Sequence, residues 1–325
     1  MALNKEQILT LTCLKEVGCS GFGYQKVMTL GNHMQDNDLV VDSYEELYEI
    51  IKGIKGSAFQ KVTLDYLSDA NKIAKKVVDE SERQGIGYVA LYDEDYPELL
   101  RNTINEEGNL EPPLLLWYRG DLSITKMPGL AVIGTREPTN EGIAGGQYLA
   151  SEFAKIGFNI ISGLAIGCDT CGHIGALKVG GKTTAILANG LDHNSIYPPD
   201  NQDLAEEIVE KGGLLLSEYR IGSSVSRFTL VARDRLQSGL AKATLVIQTG
   251  ENGGTMHAAT ATLQARKPLY TMLFKDDATN KQEKCLGNAL LVKKGAKYIK
   301  GSDNIAEISD SIKNWEPFKD DFFDK

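Results

Sequence analysis

Hydrophobic residues follow two different spacings along the chain. Between residues 3 and 84 they recur at helical intervals, as at Ile8, Leu11 and Leu14. From Leu130 onward, short continuous apolar runs alternate with segments long enough for helices. This alternation predicts an α/β fold, an extended Rossmann-like, doubly wound parallel sheet preceded by a small helical domain. The predicted strands cover residues 130–134, 158–162, 183–188, 214–217, 244–248 and 268–272.

These patterns divide the chain into four segments. We predict a helical N-terminal domain over residues 1–84, similar to a SAM or helix-hairpin-helix domain, and a connector over residues 85–121. A Rossmann-like domain follows over residues 122–315, and an acidic tail over residues 316–325. The glycine-rich turn at residues 17–23 has two interpretations. Its backbone amides contact a DNA phosphate, or its glycines only end a helix.

Glycines and polar residues stand where several predicted strands end. Gly134-Thr135-Arg136 follows the first strand, and Ser162-Gly163 follows the second. In a doubly wound sheet, ligands bind beyond the carboxyl ends of the strands, where backbone N–H groups can hold an anion. Arg136 can hold a phosphate with two hydrogen bonds, or it can pair with a nearby glutamate. The sequence therefore predicts a phosphate site at this edge.

Several familiar motifs are missing or misplaced. The spacing after Gly134 is too long for the dinucleotide fingerprint, which disfavours NAD and FAD. The segment 180–184, GGKTT, resembles the end of a Walker A loop, but it enters a strand instead of leaving one. Cys168 and Cys171 lack a second ligand pair, so no metal site is predicted. We find no catalytic triad and predict no cofactor.

The charge pattern contains a local inversion. The chain carries a net charge of −9, which argues against a surface that attracts nucleic acid everywhere. Residues 220–242 are nevertheless basic, either because they bind an anion or because they form an ordinary solvated helix face. This segment contains Arg220, Arg227, Arg233, Arg235 and Lys242 against the single acid Asp234.

Other features indicate a cytoplasmic protein. No apolar run is long enough to span a membrane, and the first residues lack the layout of a secretion signal. The five cysteines form an odd and scattered set, which favours reduced thiols.

Several short motifs stand in order between residues 85 and 300. They are AVIGTR at 131–136, ISGLAIGCD at 161–169, GKT at 181–183, GLD at 190–192, IYPP at 196–199 and LSEY at 216–219. Together they resemble the DNA-processing protein A family, known as DprA or Smf. The resemblance implies a protein that binds and protects single-stranded DNA, often as a homodimer. It also implies that the strand is passed to a RecA-type recombinase during DNA uptake, transformation or recombination.

The resemblance also implies particular roles. Phe228, Arg233 and Arg235 fall in a segment that the family writes F-x-x-R-N-R, and Phe228 suits stacking on an unpaired base. Lys182 precedes a predicted strand, a position at the opposite edge of the sheet, whereas the resemblance implies a phosphate contact there. The implied phosphate contacts are Arg136, Ser162, Gly163 and Lys182, and Gly134, Thr135, Gly254 and Thr255 complete the predicted binding loops.

Two hypotheses follow from these residues. The first is a non-enzymatic strand-binding protein that engages about four phosphates. For such a protein, a plot of the logarithm of the binding constant against the logarithm of the salt concentration has a slope near −3. The second is a nucleotide sensor or phosphoribohydrolase-like protein, because Gly253-Gly254-Thr255 resembles the loop of such enzymes. The glutamate that those enzymes place soon after the threonine is missing here, so hydrolysis is not expected.

Asp234 departs from the DprA pattern, which has asparagine at this position.

Overall fold

The computed structural model describes residues 3–105, 107–302 and 304–317. The described residues form two compact units. One contains the residues up to Tyr96 together with Pro113–Trp117, and the other contains Pro97–Pro112 and the residues from Tyr118 onward. Most of the predicted acidic tail lies outside the described residues. None of the helices in these ranges is long and apolar enough to cross a lipid bilayer.

The first unit is mainly helical, as predicted. Asn4 and Ser43 each start a helix with a capping box, in which side chain and backbone satisfy each other's free groups. In the glycine-rich turn, Gly18 and Gly21 adopt φ angles of 93° and 88°, so the glycines have a structural reason there. Contact of this turn with DNA stays a prediction. The elements are α1 (Lys5–Cys13), α2 (Tyr24–Asp36), α3 (Tyr44–Gly53), α4 (Ser57–Lys61), α5 (Leu64–Glu82) and β1 (Gly87–Ala90).

The remaining elements alternate between strand and helix. All six predicted strands are present, and their residues are buried throughout. This burial explains the continuous apolar runs, because strands covered on both faces do not alternate apolar with polar residues. The elements are β2 (Leu115–Gly120), β3 (Gly129–Ile133), α6 (Asn140–Lys155), β4 (Asn159–Ser162), α7 (Cys168–Lys178), β5 (Thr183–Leu187), α8 (Gln202–Glu210), β6 (Leu214–Ser217), α9 (Arg227–Leu240), β7 (Ala243–Val246), α10 (Gly254–Gln264), β8 (Leu269–Met272), α11 (Asp277–Asn280), α12 (Glu283–Lys293), β9 (Lys297–Ile299) and α13 (Ile305–Lys313).

The strand order creates a crevice. The sheet runs β1-β2-β6-β5-β4-β3-β7-β8-β9. Strand β3 pairs in parallel with both β4 and β7, with Ala131 opposite Ile161 on one side and Thr244 on the other. The chain winds outward from β3 in one direction and later from β7 in the other. The loops after β3 and β7 therefore diverge and leave a space at the carboxyl ends of these strands, which is the usual ligand position.

Candidate anion-binding site

A cavity of about 590 Å³ opens in this crevice. Its walls are the loop after β3, one face of α9, and the loop after β7 that leads into α10. Gly134, Thr135, Arg136, Gly254 and Thr255 all line it, so the structure brings these predicted residues together. The volume lies within the range of small-molecule sites. The cavity can therefore accommodate a group of nucleotide size.

Two exposed arginines face the cavity. Arg136 and Arg227 both line it, and within the described part of the chain neither guanidinium forms a hydrogen bond or ion pair with the protein. The loop that carries Arg136 is fixed, because Thr135 N donates to Gln248 O at 2.7 Å. A Cβ atom at Gly134 would stand 2.5 Å from the Sγ atom of Cys168, so only glycine fits there. These arginines remain available for an anionic ligand.

The N-terminus of α10 is a third feature of the cavity that favours an anion. Its N-cap residue, Gly253, has a φ of 131° and provides no side-chain hydrogen bond to the helix. The N-cap residue and the first helical residues, Gly254 and Thr255, line the cavity. Unpaired amides and the positive end of the helix dipole favour an anion at this position.

Arg233 lines the cavity but is also bonded within the protein. It is buried, and its Nη1 atom donates to Ile186 O at 2.8 Å, while its Nε atom lies 3.2 Å from Asp234 Oδ1. A Cβ atom at Gly163 would lie only 1.6 Å from Nη1. The missing side chain at Gly163 therefore makes room for Arg233, which connects α9 to β5. Its Nη1 and Nε atoms are thus used within the wall of the cavity, and a phosphate contact by Arg233 stays a prediction.

Buried carboxylates stand beside the arginines. Asp169 accepts hydrogen bonds from the backbone N–H groups of Gly163 at 3.1 Å and Ala165 at 3.3 Å. Burial raises the pKa of Asp169, and the charge of Arg233 opposes this rise. Burial also raises the pKa of Asp234 to about 6. When ionised, these carboxylates offset part of the positive charge of the arginines, and the raised pKa values limit that offset.

Ser162 and Gly163 are both used within the protein. The buried Ser162 hydroxyl donates to Val132 O at 2.6 Å, and the Gly163 amide donates to Asp169. Neither group is presented to the cavity as a phosphate donor. The SG motif instead holds the end of β4 against β3 and α7.

The basic segment does not form one cationic surface. Arg235 Nη2 donates to Glu218 Oε1 at 2.7 Å, and this pair is largely buried. Lys182 precedes β5 at the opposite edge of the sheet, where its Nζ atom donates to Gly212 O at 2.9 Å. Lys242 also lies away from the cavity and donates to Trp315 O at 3.0 Å. The structure therefore does not bring Lys182, Arg235 or Lys242 to the site.

Arg227 lines the cavity, and the next residue, Phe228, is exposed and is not among the lining residues. Phe228 is 86% exposed on the first turn of α9, beside Arg227. Ser226 begins this helix with a capping box, which fixes its first turn. Sequence reasoning did not select Arg227, although helical spacing from Arg227 through Leu230 and Val231 to Asp234 defines the face that lines the cavity.

The Cys168-x-x-Cys171 segment is packed inside the protein. Both thiols are free and buried, and burial raises the pKa of Cys171 to about 11. His173 is a buried, hydrogen-bonded histidine, since its Nδ1 atom lies 2.7 Å from Thr183 Oγ1. Burial lowers the pKa of His173 to about 3. Among the described residues, no three metal-ligating side chains come together.

The fold and the cavity define a Rossmann-like protein with a candidate anion site at the point where the strand order reverses. Residues 87–310 match the family model described as DNA recombination-mediator protein A. Because this match covers more than half of the chain, the protein belongs to that family. The family assignment made from the sequence is confirmed.

Individual relatives agree with this assignment. Protein Smf of Synechocystis is 34% identical over 226 residues, which are 68% of this chain and 54% of that protein. The chain thus spans about half the length of this relative. A crystal structure of DNA processing protein A from Streptococcus pneumoniae superimposes with a TM-score of 0.72 at 25% identity, covering 94% of this chain and 99% of that chain. The same protein from Helicobacter pylori, studied for its unique single-stranded DNA binding mode, gives a TM-score of 0.58 at 27% identity, covering 71% and 97%.

Proposed function

We propose that this protein binds single-stranded DNA without catalysing a reaction. The observation that supports this most directly is the presence of two unpaired arginines, Arg136 and Arg227, on a cavity that also receives the N-terminus of α10. The family relationship to a protein studied for single-stranded DNA binding adds independent support.

The proposed contacts use general features of a DNA strand. One phosphate binds between Arg136 and the first amides of α10, and the next binds Arg227. Phe228, which is exposed next to Arg227 in the chain, stacks on an unpaired base. Phosphates and aromatic stacking carry little sequence information, so binding tolerates many sequences.

We further propose what the protein does with the bound strand. As a recombination mediator it acts in the cytoplasm as a homodimer and passes the strand to a RecA-type recombinase. The test is the lag before recombinase filaments form on a strand covered by a single-strand binding protein. The lag shortens if the proposal holds, and it stays unchanged if strand binding serves another purpose.

Salt dependence tests the contact model. Two phosphate contacts at about −0.7 each predict a slope near −1.4 when the logarithm of the binding constant is plotted against that of the salt concentration. Fluorescence anisotropy with labelled single-stranded DNA measures this slope, and duplex DNA serves as the comparison. A slope near −3 indicates four contacts and more cationic residues than the structure offers. A flat response contradicts the proposal.

A second candidate function arises from the shape of the cavity. A space of about 590 Å³ beside Gly253 and Gly254 also suits one free nucleotide, as in a nucleotide sensor. Two results together would support the sensor: a mononucleotide raises the melting temperature of the protein, and the protein has no affinity for single-stranded DNA. Release of adenine from AMP indicates hydrolysis, for which Thr255 is followed by no nearby glutamate.

Asp234 makes binding depend on pH. This largely buried carboxyl lies near Arg233, Asp169, His257 and Arg136, and its pKa is raised to about 6. Above pH 6 it is an anion that repels phosphate, and below pH 6 it is neutral. We expect strand affinity to rise about 5-fold between pH 7.5 and pH 5.5, as a change of about 1 kcal/mol in Coulomb energy predicts. Asp234→Asn binds at the higher level at both pH values.

The control for this measurement is Glu137→Gln, which removes another carboxylate from the same cavity. It should raise the affinity and keep the pH dependence. Circular dichroism at each pH verifies folding, because buried, uncharged His173 destabilises the folded protein as pH falls below about 6.5. An Asp234→Asn variant with the wild-type pH profile would show that Asp234 is not the source of the dependence.

A further inference from the structure

A small depression adjoins the cavity and shares Arg136 with it. It has a volume of about 50 Å³ and is lined by Ile166, Tyr197 and Leu230 together with Arg136 and Arg233. Arg136, Arg233 and Leu230 belong to both spaces, so the depression and the cavity form one continuous surface. The depression is too small to enclose a base, but a base can lie flat against it.

The apolar side chains of this depression are exposed. Tyr197 is 40% exposed and Ile166 is 42% exposed. Single exposed apolar residues are common, but a contiguous group beside a charged site indicates contact with a ligand. Within the described residues, the Tyr197 hydroxyl forms no hydrogen bond that would explain its position.

The backbone beneath the depression is held rigidly. Asn201 is buried, and its Nδ2 atom donates to Leu164 O at 2.8 Å and to Thr170 Oγ1 at 3.0 Å. These bonds connect the loop that carries Tyr197 to the loop that carries Ile166. A preformed aromatic surface loses little conformational entropy when a base stacks on it.

We propose that Tyr197, with Ile166 beside it, is a second stacking site that binds the base next to the nucleotide in the cavity. This inference rests on the proposed binding of single-stranded DNA. Arg136 stands between the two spaces and is positioned to hold the phosphate that joins the two nucleotides. The face of the Tyr197 ring supplies the contact, so the site accepts any base.

The experiment compares Tyr197→Ala and Tyr197→Phe with wild type, using thymidine monophosphate and a short oligothymidylate as ligands. Tyr197→Ala should bind the oligonucleotide about 5- to 100-fold more weakly, as the loss of one base stack predicts, with unchanged mononucleotide affinity. Tyr197→Phe should bind like wild type, since it keeps the ring. Tyr148→Ala is the matched control, because Tyr148 is equally exposed on α6 and lines neither space.

Each result has a distinct meaning. If wild type binds no strand, the proposed function itself fails. If wild type binds and Tyr197→Ala matches Tyr148→Ala, the second stacking site is absent. If Tyr197→Phe binds as weakly as Tyr197→Ala, the hydroxyl makes the contact and stacking is refuted. Photocrosslinking of wild type to an iodouracil-substituted strand provides a test that needs no variant. A crosslink at Tyr197 supports the site, and crosslinks confined to other residues overturn it.

Discussion

Replacing Arg233 with methionine is expected to lower the free energy of unfolding by about 3–5 kcal/mol, the usual effect of removing one partner from a buried charged pair. The substitution keeps an unbranched side chain but removes the guanidinium. Ile186 O then loses its donor, and the fully buried Asp169 loses the cation that opposes the rise of its pKa. Urea denaturation followed by circular dichroism measures the change.

Arg227→Met is the matched control for this experiment. Arg227 lies on the same helix but is exposed and forms no ion pair within the described residues, so its replacement should alter the unfolding free energy by about 0.5 kcal/mol or less. Adding Asp169→Asn to Arg233→Met removes the uncompensated carboxylate and should recover part of the stability. If Arg233→Met is as stable as Arg227→Met, Arg233 does not brace the wall of the cavity.

The central sheet could be predicted because its strands leave a strong signal. Residues of β3 to β8 are buried on both faces and appear as short apolar runs that end at glycines or polar residues. The strands β1, β2 and β9 were not predicted. β9 has only three residues and begins with an exposed lysine, which leaves too little pattern to recognise. The strands β1 and β2 lie in the stretch that we interpreted as a connector.

The position of the site could be predicted, but the roles of its cations could not. Loops at the carboxyl ends of β3 and β7 follow from the topology alone. A count of charges, however, does not show where each side chain points. Arg227 faces the cavity, Arg233 enters the interior because Gly163 leaves room for it, and Arg235 pairs with Glu218. The last two contacts join residues far apart in sequence, so local pattern could not reveal them.

The internal contacts of Arg233 and Arg235 change what a mutation of the site should show. If all the predicted basic residues bound phosphate, the loss of one would reduce affinity only moderately. With Arg136 and Arg227 as the exposed arginines of the cavity, each carries a large share of the electrostatic attraction. We expect the larger effect from Arg136, because in the proposed contacts it holds the phosphate that joins the two nucleotides.

We therefore expect Arg136→Glu to weaken binding of single-stranded DNA by about 10- to 100-fold, which corresponds to the loss of a charge-assisted hydrogen bond. Because Arg136 is exposed and unpaired within the described chain, the variant should fold normally. Anisotropy titrations at fixed salt measure the affinity, and thermal melting verifies the fold. Arg136→Gln removes one cation without adding an anion, so its salt slope should be shallower than that of wild type by about 0.7.

Lys182→Glu is the matched charge reversal for Arg136→Glu. It makes the same change in net charge at the opposite edge of the sheet, where Lys182 contacts the carbonyl of Gly212. An effect of net charge alone would weaken binding equally in both variants, whereas a localised site predicts near wild-type affinity for Lys182→Glu. Equal losses of affinity in the two variants would mean that strand binding is not localised at either edge of the sheet. The cavity would then not be the binding site. A loss confined to Arg136→Glu assigns phosphate binding to the loop after β3, since the two variants differ in where the charge lies and not in how much is added.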